Sequence, residues 1–173
     1  MDETGHTFRA RLGTTWAPRG QTPVLRRRSA RREVSSIVAL TAPLDGQPAR
    51  LYARHFLGAI HAQEVIRALR YFHRQIGGRL IIAWDHLSAH TAHATAEFLT
   101  VHPDAFAIEW LPGYAPDLNP EEQCNQWIKG DMQNALPSSV ENLRRMVRGR
   151  FARLRHRPDL LAHFFEHAGV HVN

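Results

Sequence analysis

Three acidic positions stand where carboxylates could do chemistry. Asp85 closes the apolar run "RLIIAWD", Glu122 follows the rigid stretch "LPGYAPDLNPE", and Asp2 or Glu3 sits in the opening "MDETGH". Two carboxylates about 4 Å apart repel by roughly 4 kcal/mol at an effective dielectric near 20, so three brought together would protonate or splay apart. A divalent cation removes that penalty, and an oxygen-only ligand set suits Mg²⁺ or Mn²⁺, which keep positions open for water and phosphate oxygens. Two such ions about 3.5 to 4 Å apart activate a nucleophile and stabilise the leaving oxygen in phosphodiester cleavage. Taken singly, an Asp at a strand end or a Glu in a first helical turn serves equally well as a cap or a solvated surface group. Zinc fits less well, because "HLSAH" offers His86 and His90 at i, i+4 spacing without a third soft ligand.

The surrounding elements decide whether those acids meet. "EVSSIVALTA" (33–42) and "ARLYARHFLG" (49–58) are β-branched and aromatic stretches flanking "PLDGQ", a hairpin signal. An acid at position 2 or 3 would precede that hairpin on a strand of its own. "HAQEVIRALRYFHRQIGG" places Val65, Ile66, Leu69, Phe72 and Ile76 at helical spacing and stops at Gly77 and Gly78. "RLIIAWD" reads as a strand buried on both faces, "TAHATAEFLTVHP" as a short helix and "AFAIEWLP" as another buried strand. Pro112, Pro116 and Pro120 then stiffen a loop leading into a helix with Asn119 as N-cap, Pro120 at the first position, and Glu121 and Glu122 in the first turn. The remainder reads as helical, with Leu143, Met146, Val147 and Phe151 as one buried stripe. This order predicts an α/β fold: an RNase H-like mixed β-sheet of about five strands flanked by α-helices.

At 173 residues and 43% apolar content the chain is expected to form a single domain over 1–173. It has no apolar run of spanning length and no signal-type amino terminus, and its single cysteine, Cys124, forms no internal disulfide. A soluble, cytoplasmic, nucleoid-associated protein with no membrane partner is the expectation, with Cys124, Trp16 and Trp127 packed in the core. The net charge is +6, and Lys129 is the single lysine among 22 basic residues. Arginine forks match phosphate geometry, although a GC-rich genome produces the same bias. Arg26, Arg27, Arg28, Arg31 and Arg32, in "RRRSARR", form one candidate grip on a phosphate backbone, and Arg144, Arg145, Arg148, Arg153, Arg155 and Arg157 form a second along the carboxyl-terminal helices.

"WDHLSAH" followed by "WLPGYAPDLNPEEQCNQWIK" resembles the DDE transposases of the IS630/Tc1/mariner group, whose pattern is an Asp-Asn pair with a nearby His, then Leu-Pro, Tyr-Ser-Pro, a Leu-Asn-Pro turn, Glu, Trp and Lys. "DETG" with "WAPRGQTP" resembles that group's first acidic strand and the segment after it. The resemblance puts the catalytic, metal-binding acids on Asp2, Asp85 and Glu122. Glu121 occupies a slot that is usually aliphatic, and His86 stands where Asn is usual. His90 and Lys129 fall at matching positions and join the DNA-facing set.

The resemblance implies cutting at insertion-sequence ends by metal-activated water, with two Mg²⁺ or Mn²⁺ ions. The freed 3′-OH then attacks target DNA, typically at a TA dinucleotide. Such enzymes carry amino-terminal helix-turn-helix domains that this chain is expected to lack, together with part of the first strand. A separate upstream helix-turn-helix reading frame and a homodimer are the implied partners, and weak or absent transposition by the chain alone is expected. The alternatives are a stand-alone RNase H-like nuclease and a truncated, inactive DNA-binding remnant.

Overall fold

The computed structural model describes residues 1–9, 11–26, 33–42, 46–113 and 115–170. Among these described residues five strands and six helices follow in chain order: β1 (Asp2–Thr7), β2 (Glu33–Thr41), β3 (Arg50–Leu57), α1 (Ala62–Ile76), β4 (Leu80–Trp84), α2 (Ser88–Thr91), α3 (His93–Thr100), β5 (Phe106–Trp110), α4 (Pro120–Asp131), α5 (Val140–Arg155) and α6 (Pro158–His167). A 3₁₀ turn over Pro116–Leu118 leads into α4. β2 pairs antiparallel with both β1 and β3, whereas β4 and β5 pair in parallel. The two sheets meet where Met1 N donates to Ala83 O at 2.8 Å, which brings β4 alongside β1.

Side-chain alternation divides the core between the two faces of this layer. Val34 and Val38 of β2, with Leu51 and Ala53 of β3, pack against Cys124, Ile128, Leu143, Val147, Phe151 and Leu161 from α4, α5 and α6. Ile37, one residue out of step, faces the other way and packs with Val65, Leu69 and Phe72 of α1, and with Ile82, Trp84, Phe98 and Phe106. Burying each large apolar side chain contributes about 1.5–3 kcal/mol, so α5, with Leu143, Val147, Phe151 and Leu154 at helical spacing, is held mainly by packing. The N-terminus of α1 is fastened by Glu64, which accepts from His61 N at 3.2 Å, and Gly77 ends it at φ 80°. Pro43, Leu44 and Asp45 of the expected hairpin turn lie outside the described residues.

Two expectations are corrected. β4 is not buried on both faces: Ile82 and Trp84 point into the core, while Ile81 is 75% exposed. Helices α4–α6 gather under β1–β3, and among the described residues the core they form takes no side chain from β4 or β5, which leaves Ile81 on the second face of that pair uncovered by them. Trp16 is likewise not in the core but fully exposed. It lies on an irregular stretch that is tied down by Asn134, which donates to Gly13 O and accepts from Gly13 N, and Trp16 itself lies beyond that tie. Trp127 does pack on the core, and Cys124 is buried with its thiol pushed well above the usual range by burial. Among the described residues no helix is long and apolar enough to cross a membrane.

Candidate active site

β1 separates the two acids that the sequence left open at its start. Asp2 lies opposite Val38, which faces α4–α6, and Glu3 lies opposite Ile37, which faces α1. Asp2 is buried. Its Oδ1 accepts from Glu3 N at 2.7 Å, and its Oδ2 accepts from the side-chain amides of Asn119 at 3.3 Å and Asn125 at 3.2 Å. Burial above all, and the nearby charges of Glu3 and Glu122, push its carboxyl up to about 6.

Both amides come from the segment that carries the third acid. Asn119 caps α4 by accepting from Glu121 N at 3.1 Å, and Pro120 follows at the first helical position. Consecutive helical residues point about 100° apart, so Glu121 and Glu122 cannot share a direction. Glu121 turns into the core, where Oε1 accepts from Leu40 N at 2.9 Å and lies 3.4 Å from Met1 N. Complete burial pushes it up to about 8. Glu122 is half-buried on the rim, close enough to Asp2 to influence its charge, and makes no side-chain hydrogen bond among the described residues. Glu121 is thus buried as a strut against β2, while Glu122 is left on the rim.

Asp85 immediately follows β4 and is half-exposed. Its Oδ1 accepts from Leu87 N at 3.1 Å and lies 2.9 Å from His90 Nδ1, and its Oδ2 has no hydrogen bond among the described residues. The His90 side chain is fully buried, stacked on Trp84 with ring centroids 4.2 Å apart, and its Nε2 sits 2.7 Å from Glu3 Oε1. Burial alone would push His90 down. The hydrogen bond and charge of Glu3, followed by the contacts and charge of Asp85, outweigh it and raise its affinity for a proton. The imidazole therefore bridges β1 and the end of β4. Its burial and its engagement on both ring nitrogens remove it from any DNA-facing role. The sequence signal was present in the i, i+5 spacing of Asp85 and His90, but nothing local marked Glu3 as the partner.

Of the other expected DNA contacts, Arg26 is exposed at the end of the irregular segment and Lys129 is half-buried in the last turn of α4. Arg27, Arg28, Arg31 and Arg32 lie outside the described residues. His86, in the position where Asn is usual, stacks on Trp110 with centroids 4.6 Å apart.

Among the described residues no group of three His, Cys, Asp or Glu side chains is gathered tightly enough to hold a metal ion by itself. The donor chemistry nonetheless fits a hard divalent cation: among the described residues Asp85 Oδ2 and the Glu122 carboxylate have no hydrogen-bond partner, and a cation would favour the charged form of Asp2 that burial, and after it the charges of Glu3 and Glu122, disfavours.

A family model described as DDE superfamily endonuclease matches residues 1–144. The chain is similar to a solved structure of a Mos1 transposase paired-end complex with left transposon end, at 16% identity and TM-score 0.57, over 99% of this chain and 55% of that one. It is also similar to the Mos1 mariner paired-end complex with Mn, at 20% identity and TM-score 0.58, over 95% and 52%, and to the Mos1 strand transfer complex, at 20% identity and TM-score 0.56, over 99% and 54%. The chain therefore spans about half the length of those transposase chains, and likeness at this identity establishes the RNase H-like fold expected from the order of elements. No curated protein matches it.

Proposed function

The chain belongs to the DDE superfamily endonucleases, and from that premise we propose that it is the catalytic domain of an insertion-sequence transposase that hydrolyses DNA phosphodiesters and transfers the freed strand. Asp2, Asp85 and Glu122 would hold Mg²⁺ or Mn²⁺, two ions in the full reaction, which supply charge neutralisation and an activated water when bound. The observation that carries this reading is mechanical: Asp2 is tied to the segment that bears Glu122, and its neighbour Glu3 is tied through His90 to Asp85. Asn119, the cap of the helix that carries Glu122 in its first turn, and Asn125, on that helix, grip Asp2. On the opposite face of β1, Glu3 holds His90, and His90 holds Asp85.

In the reaction, a water oxygen attacks phosphorus, the bond to the 3′ oxygen breaks, and the 3′-OH departs with the proton it gains. That hydroxyl then attacks a target phosphodiester, typically at TA, and one bond forms as another breaks, with no covalent link to the protein. Asp2 must give up its proton to act, and its raised affinity makes that easiest above about pH 6 or with a cation in place. Element ends would be recognised by a helix-turn-helix partner, with two catalytic chains acting together.

The test is a strand-transfer assay with pre-cleaved ends in Mn²⁺, using this chain with a DNA-end-binding module. Joined products that disappear in Asp85→Asn support the reading. Metal-dependent cutting without any joining points instead to a stand-alone nuclease.

A further inference from the structure

α5 carries Arg144, Arg148 and Arg155 at spacings of four and seven residues, which places them within about 40° of one another around the helix. They flank the buried stripe where α5 meets the edge strand β3, and Arg54 of β3 joins them around a polar hollow of about 320 Å³. The Arg54 guanidinium lies 5.2 Å above the Tyr71 ring, which holds it at the rim. Arg155 donates from Nε to Leu51 O at 3.2 Å, which blunts the strand edge and fixes its guanidinium at the hollow.

The counter-charges are unevenly distributed. Arg150 and Arg153 share Asp131, and Arg157 pairs with Asp159. Among the described residues around the hollow, only Arg144 has an acid, Glu141, at a loose 3.8 Å on the exposed surface. Among the described residues Arg54, Arg148 and Arg155 have no carboxylate within salt-bridge distance. Four cations converge with almost no internal neutralisation, an arrangement that repels itself unless an anion enters. The interior responds to that field: His55, held by Ser36 Oγ at 2.8 Å, is pushed down to about 4, first by burial and then by the charges of His6, Arg148, Arg144 and Arg155.

We propose that this hollow binds a backbone phosphate of DNA, an assignment that rests on reading the chain as a DNA-processing enzyme and adds a second point of attachment for the duplex. Ala53 lies opposite Val38, which lies opposite Asp2, so the hollow is two strands across the sheet from the catalytic acid. At about 4.8 Å per strand that is about 10 Å, the rise of roughly three base pairs, so one DNA molecule reaches both. The guanidinium fork is the group suited to such a contact, and each neutralised phosphate steepens the salt dependence of binding.

The experiment measures binding of a 30-base-pair duplex by fluorescence anisotropy from 50 to 300 mM salt in EDTA, which removes the metal site from the readout. Relative to the unaltered chain, Arg144→Ala/Arg148→Ala is expected to make the log–log salt slope shallower by about 2 and to weaken binding roughly 10- to 100-fold at 0.1 M salt. Arg157→Ala, which removes an arginine already paired with Asp159, is expected to leave the slope unchanged. Thermal melts confirm that each variant is folded, and Arg148→Lys, which keeps the charge, retains most of the slope. An unchanged slope in the double variant overturns the proposal, even if metal-dependent cleavage survives. Pyrophosphate binding by calorimetry that is lost in the double variant, with DNA affinity intact, overturns it in favour of a free-phosphate site. A chain that binds no DNA at any salt overturns both this proposal and the transposase reading.

Discussion

Replacing Glu121 with Gln distinguishes the two adjacent glutamates of α4. Glu121 is 2% exposed and titrates near 8 instead of the usual 4.5. The sign follows from linkage: a carboxyl whose folded value is raised binds its proton more tightly when folded, so stability is greatest below about 4.5 and falls as pH rises toward 8. At pH 7 the folded protein holds a proton that the unfolded chain has released across about 2.5 pH units, which costs about 3 kcal/mol. Gln is shaped like the protonated acid and still accepts from Leu40 N through its carbonyl oxygen, so Glu121→Gln is expected to be more stable by up to about 3 kcal/mol at pH 7, with the advantage vanishing near pH 4.5. Urea unfolding from pH 4.5 to 8 measures it. Glu122→Gln should leave stability within about 0.5 kcal/mol and remove metal-dependent cleavage by roughly 10³-fold. A Glu121→Gln protein that is destabilised equally at every pH, or that loses cleavage while Glu122→Gln keeps it, would refute the assignment of roles.

Two further perturbations follow from the same geometry. His6 is buried, its Nε2 has no hydrogen-bond partner among the described residues, and it is pushed down to about 4 by burial and by Lys129, so stability is lost as pH falls from about 6.5 toward 4. His6→Phe should remove about 2.5 kcal/mol of the loss between pH 7 and 4.5, and an acid limb identical to that of the unaltered chain would contradict this. His90→Gln takes from the Glu3 carboxyl the ring nitrogen that holds it, which should cost about 1–3 kcal/mol, part of it recovered by adding Glu3→Gln. In the double variant Mn²⁺ affinity should still be 10- to 100-fold weaker because Asp85 has lost its orienting partner, and unchanged affinity would show that His90 is merely structural.

The elements were legible where local grammar and tertiary packing agree. α1 reads from its apolar spacing and its Gly77 stop, and α4 from Asn119 and Pro120, because helix ends are set by nearby backbone chemistry. Ile81 and Trp16 were misread because apolar character records a preference, and only the tertiary arrangement decides whether a helix arrives to cover it. Asp2, Asp85 and Glu122 stood out through their motif context. The roles of Glu3, Glu121 and Asn125 did not, because each depends on a partner more than 80 residues away in the chain. The hollow beside β3 was half visible as a stripe on α5, and Arg54 completes it only through sheet register.

The central claim is that Asp2, Asp85 and Glu122 share divalent cations at one end of the sheet. Its most direct measurement is Mn²⁺ titration by calorimetry on the unaltered chain bound to DNA and on Asp2→Asn, Asp85→Asn and Glu122→Gln, with folding checked for each. Binding that weakens at least tenfold in every one of the three variants is the predicted result. Mn²⁺ affinity indifferent to Asp85→Asn and Glu122→Gln would contradict it.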